Sequence, residues 1–166
     1  YGDWGADLAN PVAREALIDE WAEVMERDLN HPSLVIWTPF NERVFKGSDR
    51  PVAEFLRRIY RMTKSLDPTR PVIDTSGYVH VATDIYDIHD YEQDPLLFRS
   101  HYEKFGQTGS DGDLWTNDPK ESVAHAGQPV MISEYGGTWW NPAQSSDNKA
   151  WGYGQRPTTE GEFMAR

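Results

Sequence analysis

Two glutamates follow short apolar segments and are the residues whose types and positions best suit acid–base chemistry. Glu42 lies just beyond Leu34–Trp37, and Glu134 directly follows Val130–Ser133. Two carboxyl groups can divide the work of a reaction, because one can donate a proton while the other attacks as an anion. A single glutamate at a strand end is usually a solvated loop residue. Two glutamates in matching positions favour a shared site.

The apolar runs before these glutamates predict how the chain positions them. A continuous apolar run such as Leu34–Trp37 is typical of a strand buried on both faces, as in a parallel sheet. In parallel α/β folds, functional groups gather where the strands end. The sequence therefore predicts Glu42 and Glu134 at one sheet edge, which is the arrangement that glycoside hydrolysis requires.

Helices and strands alternate along the rest of the sequence. Proline, capping residues and apolar spacing predict helices from Asn10 and Pro11 to near Asn30, from Pro51 to Leu66, from Asp94 and Pro95 to about Phe105, and from Thr159 onward. Further strands are predicted at Pro71–Asp74, within Val81–Tyr91 and at Pro129–Ser133. Residues 106–128 predict a long loop with a helical turn near Glu121–His125. This order predicts parallel βαβ units.

Composition limits the kinds of partner. The net charge of −11 disfavours nucleic acid and anionic membrane surfaces. The chain has no cysteine and no histidine pair at metal-ligand spacing, and it lacks a phosphate-binding glycine motif. We therefore expect no metal and no cofactor. The first residues show no secretion signal, and the compartment is left open.

The two glutamate segments resemble one enzyme family. Residues 30–42 read Asn-His-Pro-Ser-Leu-Val-Ile-Trp-Thr-Pro-Phe-Asn-Glu, and residues 129–137 read Pro-Val-Met-Ile-Ser-Glu-Tyr-Gly-Gly. The first segment resembles the acid/base motif of glycoside hydrolase family 2, and the second resembles its nucleophile motif, in the same order. The resemblance implies that Glu42 is the general acid/base and that Glu134 is the nucleophile.

The fold that this resemblance implies is a partial (β/α)8 TIM barrel. Residues 1–166 would form a single catalytic-barrel fragment with approximately strands four to seven and their helices, without strands one to three and eight. Four strands cannot close a barrel, so the rest of the barrel or a partner chain is needed to cover the open sheet edges. We expect the isolated chain to be inactive or very weakly active.

The resemblance also implies substrate-binding residues. Asn41 would bind the sugar 2-hydroxyl, although it could instead cap a loop. Residues 84–91 resemble the family's sixth-strand region, where Tyr91 would hydrogen-bond the nucleophile and Tyr86 is a rival for this role. His89 would contact substrate hydroxyls or else pair with local carboxylates. Trp139 and Trp140 would stack on a sugar or else pack beneath their loop.

The function predicted from the resemblance is a retaining exo-β-glycosidase that hydrolyses O-glycosidic bonds by double displacement, of the β-galactosidase or β-glucuronidase type. Retention requires the two carboxyl groups to lie about 5–5.5 Å apart. One alternative is an inactive fragment or a non-catalytic carbohydrate-binding protein with an inherited site. Another is an endo-acting β-mannanase or cellulase of the same clan.

Overall fold

The computed structural model describes residues 5–46, 49–141, 143 and 151–166. These residues form helices α1 (Pro11–Asp28), α2 (Arg50–Leu66), α3 (Pro95–Thr108) and α4 (Glu160–Met164), and strands β1 (Phe40–Asn41), β2 (Thr75–Ser76), β3 (Tyr86–Asp90) and β4 (Val130–Tyr135). A 3-10 turn covers Asp111–Asp113. Within the described ranges, no helix has the length and apolar character needed to cross a membrane.

The described chain divides into two compact units. The first contains residues 1–88 and 116–133, and the second contains residues 89–115 and 134–166. The prediction of a single catalytic-barrel domain over residues 1–166 stays a prediction.

The first unit contains a βαβ arrangement and the apolar core. Strand β1 pairs in parallel with β2, with Phe40 opposite Thr75, and an isolated parallel bridge joins Trp37 to Val72. Helix α2 connects the two strands, as the alternation of elements predicted. The α/β character of the fold is therefore confirmed at this pair, whereas the numbering of the strands within a barrel stays a prediction.

Helices α1 and α2 pack through apolar stripes that were visible in the sequence. Buried residues on the two helices include Trp21, Met25, Leu56 and Ile59. The Trp21 indole N–H donates to Thr63 Oγ1 at 2.8 Å, which satisfies two polar groups inside the core. The predicted bounds of both helices are confirmed to within a few residues.

Two strand predictions were wrong, because the segments Leu34–Trp37 and Pro71–Asp74 share only a single bridge, between Trp37 and Val72, and β2 begins at Thr75. The segment Leu34–Trp37 is not a strand buried on both faces, because only Trp37 pairs there and Val35 is 66% exposed. Proline lacks an N–H group, so Pro39 interrupts the ladder between the Trp37 bridge and β1. The helical turn predicted near Glu121–His125 lies a few residues earlier, where the Ser122 N–H donates to Asp118 O at 3.0 Å, and the Val123 N–H then donates to His80 O at 2.9 Å.

The second unit contains α3 and α4, each with a capped N-terminus. Asp94 accepts hydrogen bonds from the Leu96 and Leu97 N–H groups, and Thr159 Oγ1 accepts one from the Glu162 N–H. Helix α3 ends at Thr108 and is capped by Gly109, whose φ of 61° is the left-handed conformation that glycine adopts readily. The starts of both helices match the sequence prediction.

Candidate active site

Glu42 stands in an unusual backbone conformation directly after β1. Its φ is 50°, a left-handed value that is uncommon for a residue with a side chain and that recurs at functional sites. Its N–H group donates to Ser76 O at 2.8 Å, which ties this turn to β2. Asn41 is half-buried within β1, opposite Ser76 in the sheet register.

Glu134 lies in β4 and meets two predicted site residues in the second unit. The Tyr91 hydroxyl donates a hydrogen bond to Glu134 Oε2. His89 Nε2 lies 3.5 Å from Glu134 Oε1, and the His89 side chain is fully buried whereas that of Glu134 is 42% exposed. The glutamate is thus held from the protein side while part of its side chain stays open to solvent.

The Tyr91 ring is fixed by an aromatic partner that sequence reasoning did not identify. It stacks on the ring of Tyr153 with centroids 3.6 Å apart and planes 6° from parallel. Tyr153 in turn lies against Gly137, where an added Cβ would come within 2.7 Å of the Tyr153 ring. No local signal in the sequence marks Tyr153, because its role depends on a contact between distant segments.

A second missed residue, Gln93, joins the loop after Tyr91 to the loop after Glu134. Its side-chain amide donates to Tyr91 O at 2.9 Å and to Gly136 O, and its amide oxygen accepts from the Thr138 hydroxyl. These hydrogen bonds connect the two loops that follow Tyr91 and Glu134.

The rival tyrosine of the sequence analysis points elsewhere. The Tyr86 hydroxyl donates to Val123 O at 3.0 Å, and burial raises the pKa of this phenol. Its ring lies against His80, with centroids 4.6 Å apart. Of the two tyrosines, Tyr91 is therefore the one that contacts Glu134.

Trp139 and Trp140 pack against the C-terminal segment. Trp139 covers Gly152, where an added Cβ would fall 2.1 Å from the indole, and the Arg156 guanidinium lies 4.9 Å from its ring centroid. Trp140 stacks on Phe163 at 6.3 Å. Both indoles are half-buried, so each has contacts within the loop region and a remaining accessible surface.

A buried ion pair lies in the first unit. His80 Nδ1 donates to Asp74 Oδ1 at 2.7 Å, and His80 Nε2 donates to Asp87 O at 2.8 Å. Burial by itself lowers the pKa of His80, but the hydrogen bond and charge of Asp74 outweigh it, and the pKa is raised. Because both ring nitrogens face acceptors, the geometry suits the imidazolium form.

Comparison with known proteins identifies the family. Residues 3–163 match the model described as glycosyl hydrolases family 2, TIM barrel domain. The chain is 30% identical over 131 residues to beta-galactosidase BgaC of Bifidobacterium adolescentis. This alignment covers 79% of this chain and 11% of that protein. The chain is 28% identical over 141 residues to a beta-glucuronidase of Canis lupus familiaris, which covers 74% of this chain and 21% of that protein.

A third relative covers almost the whole chain. A beta-galactosidase of Psychromonas ingrahamii is 26% identical over 186 aligned residues, which include 99% of this chain and 16% of that protein. The chain thus spans between about a tenth and a fifth of the length of these three curated relatives. Because the family model matches nearly the entire sequence, the chain belongs to glycosyl hydrolase family 2 and corresponds to part of its TIM barrel domain.

Proposed function

We propose that this chain carries both catalytic carboxylates of a retaining exo-β-glycosidase. In the first step, a Glu134 oxygen attacks the anomeric carbon while Glu42 gives its proton to the departing glycosidic oxygen. In the second step, Glu42 takes a proton from water, and the water oxygen attacks the anomeric carbon and releases Glu134. Two inversions at one carbon give net retention.

The observation that carries this proposal is the contact between Tyr91 and Glu134. A phenol that donates to one carboxylate oxygen fixes the carboxylate, and the exposed part of the Glu134 side chain is left available to a substrate. Membership of the family and the position of Glu42 at the end of β1 support the assignment of the acid/base role.

The remaining predicted residues would bind the sugar. Asn41 would bind the 2-hydroxyl, and His89 would contact another hydroxyl. Trp139 or Trp140 would offer an aromatic face to the C–H groups of a sugar ring. The proposed substrates are β-galactosides or β-glucuronides, since relatives of this chain carry the names beta-galactosidase and beta-glucuronidase. The rest of the barrel, or a partner chain, would complete the pocket.

A covalent trap tests the proposal. The full-length protein is incubated with 2-deoxy-2-fluoro galactoside and glucuronide that carry a good leaving group, and the labelled peptide is sequenced by mass spectrometry. We expect the label on Glu134, no label in Glu134→Gln, and normal labelling in Glu92→Gln, a neighbouring loop carboxylate. The sugar that labels faster identifies the specificity.

Other outcomes would contradict the proposal. Label on another residue would overturn the nucleophile assignment, and a product of inverted configuration would overturn the retaining mechanism. Binding of sugars without any turnover would favour a non-catalytic carbohydrate-binding protein. Turnover of polymeric mannan or cellulose, but not of small glycosides, would favour the endo-acting alternative.

A further inference from the structure

Asp87 is a buried carboxylate whose hydrogen bonds lead to the backbone beside both proposed catalytic residues. It is only 1% exposed. Its Oδ2 accepts from the Ser76 hydroxyl at 2.7 Å and from the Ser133 hydroxyl at 2.8 Å, and its Oδ1 accepts from the Ser133 N–H at 3.2 Å. A carboxylate is costly to bury, and these donors offset part of that cost.

The contact with Ser133 holds one peptide of β4 at two points. Asp87 accepts hydrogen bonds from both the main-chain N–H and the hydroxyl of Ser133, so it fixes the position of that residue and the orientation of its peptide. Ser133 directly precedes Glu134 in the same strand. A displacement of Ser133 would therefore pass through the peptide bond to the proposed nucleophile.

The contact with Ser76 leads to the proposed acid/base. Asp87 accepts a hydrogen bond from the Ser76 hydroxyl, and the Ser76 carbonyl accepts one from the Glu42 N–H at 2.8 Å. Glu42 has a left-handed φ, so its turn depends on contacts of this kind to keep a strained conformation. The two serine hydroxyls also lie 3.3 Å apart, which places both donors beside one carboxylate.

We propose that Asp87 is a positioning residue for the glycosidase reaction, which holds Glu134 through Ser133 and Glu42 through Ser76. The inference rests on the proposed function, because it assigns Asp87 to the reaction of those two glutamates. Misplacement of a catalytic group by about 1 Å can cost about 100-fold in rate, so a modest shift of either serine has a measurable effect.

The test, carried out in the full-length protein, separates the contact of Asp87 with Ser133 from its contact with Ser76. We compare three variants with the wild type: Ser133→Ala, Ser76→Ala and Asp87→Asn. The substrates are aryl β-glycosides with good and with poor leaving groups. Each kcat is divided by the fraction of active sites that a 2-fluoro glycoside titrates. Thr63→Ala is the matched control, because it also removes a buried, hydrogen-bonded hydroxyl, but from α2.

The expected results differ between the variants. Ser133→Ala lowers kcat by about 10- to 100-fold for every leaving group, because the attack by Glu134 is slowed. Ser76→Ala lowers kcat/KM, which reports the first step, mainly for poor leaving groups, because these need the proton from Glu42. Asp87→Asn produces both effects, with KM changed much less than kcat. Thr63→Ala lowers the melting temperature and leaves the corrected kcat unchanged.

The inference is overturned if the corrected kcat and its leaving-group dependence are the same in both serine variants as in the wild type, since Asp87 then serves stability alone. If Asp87→Asn does not fold, the two serine variants decide the matter. A wild type that neither turns over nor becomes labelled would instead contradict the proposed function.

Discussion

The phenol of Tyr91 donates its hydrogen bond to Glu134 and lies face to face with the ring of Tyr153, 3.6 Å away. The stacking restricts rotation of the Tyr91 ring, so its hydroxyl keeps its direction toward the carboxylate. His89 completes this side of the arrangement at 3.5 Å from the other carboxylate oxygen. The proposed nucleophile is therefore oriented by His89, which lies within β3, and by Tyr91, which directly follows that strand.

Removal of the Tyr91 hydroxyl should slow the reaction. A hydrogen bond to a charged group contributes about 1.5–3 kcal/mol, so Tyr91→Phe should lower kcat/KM by roughly 10- to 100-fold. Steady-state kinetics on an aryl β-glycoside measure this effect. Tyr60→Phe is the control, because it removes a similar tyrosine–carboxylate hydrogen bond, to Asp84, in the first unit. Equal losses in both variants would argue against a specific role for Tyr91.

Loss of the Glu42 carboxyl should depend on the leaving group. Proton donation by a general acid contributes about 10²- to 10⁴-fold, and a leaving group that departs as a stable phenolate needs little of it. Glu42 is also the proposed base of the second step, so the acid role is followed by kcat/KM, which reports the first step; Glu42→Ala should lower kcat/KM far more for alkyl glycosides than for dinitrophenyl glycosides. The comparison is Glu134→Ala, which should lose activity on both substrates alike. A uniform loss in Glu42→Ala would remove Glu42 from the acid role.

His80 should make stability fall as the pH rises. Its pKa is raised in the folded state above its unfolded value of about 6.5, despite burial, by Asp74 and by the Asp87 carbonyl. The contribution is fully present below the unfolded pKa and is lost as the pH rises through the folded pKa. Urea unfolding across this range should show the slope, and His80→Gln should reduce it. His31 is exposed, so His31→Gln should keep the slope of the wild type. An unchanged slope in His80→Gln would show that His80 does not cause the pH dependence.

Asp67 should make stability fall in acid. Burial raises the pKa of this carboxyl, but hydrogen bonds from Thr69, the Trp37 indole and Arg70 outweigh it, and the pKa is lowered. The contribution is present above the unfolded pKa of about 3.9 and is lost as the pH falls through the folded pKa.

Unfolding measured from neutral pH into this acid range tests the Asp67 prediction. Asp67→Asn should flatten the loss of stability, whereas the exposed Asp49→Asn should leave it as in the wild type. The same acid dependence in Asp67→Asn and the wild type would show that other carboxyl groups cause the loss.

Several elements of the fold could be predicted because their signals are local. Asn10 and Asp94 each precede a proline and cap the helix that follows, and Thr159 caps the last helix. The strand that leads into Glu134 also appears where the apolar run placed it. The strand predicted at Leu34–Trp37 failed because apolar character does not reveal which residues find a strand partner, and in this segment only Trp37 does.

The sequence by itself determined the family and the βαβ order around α2, and it predicted the two glutamates as the catalytic pair, since motif spacing, caps and apolar periodicity are local features of the chain. Only the tertiary structure decided that Tyr91 rather than Tyr86 contacts Glu134. It also decided that Tyr153 stacks on Tyr91 and that Gln93 holds the loop after it. The link that Asp87 makes between Ser76 and Ser133 likewise appears only in the folded structure. These contacts join residues far apart along the chain. Their partners are chosen by strand register and side-chain packing, which no single segment of sequence encodes.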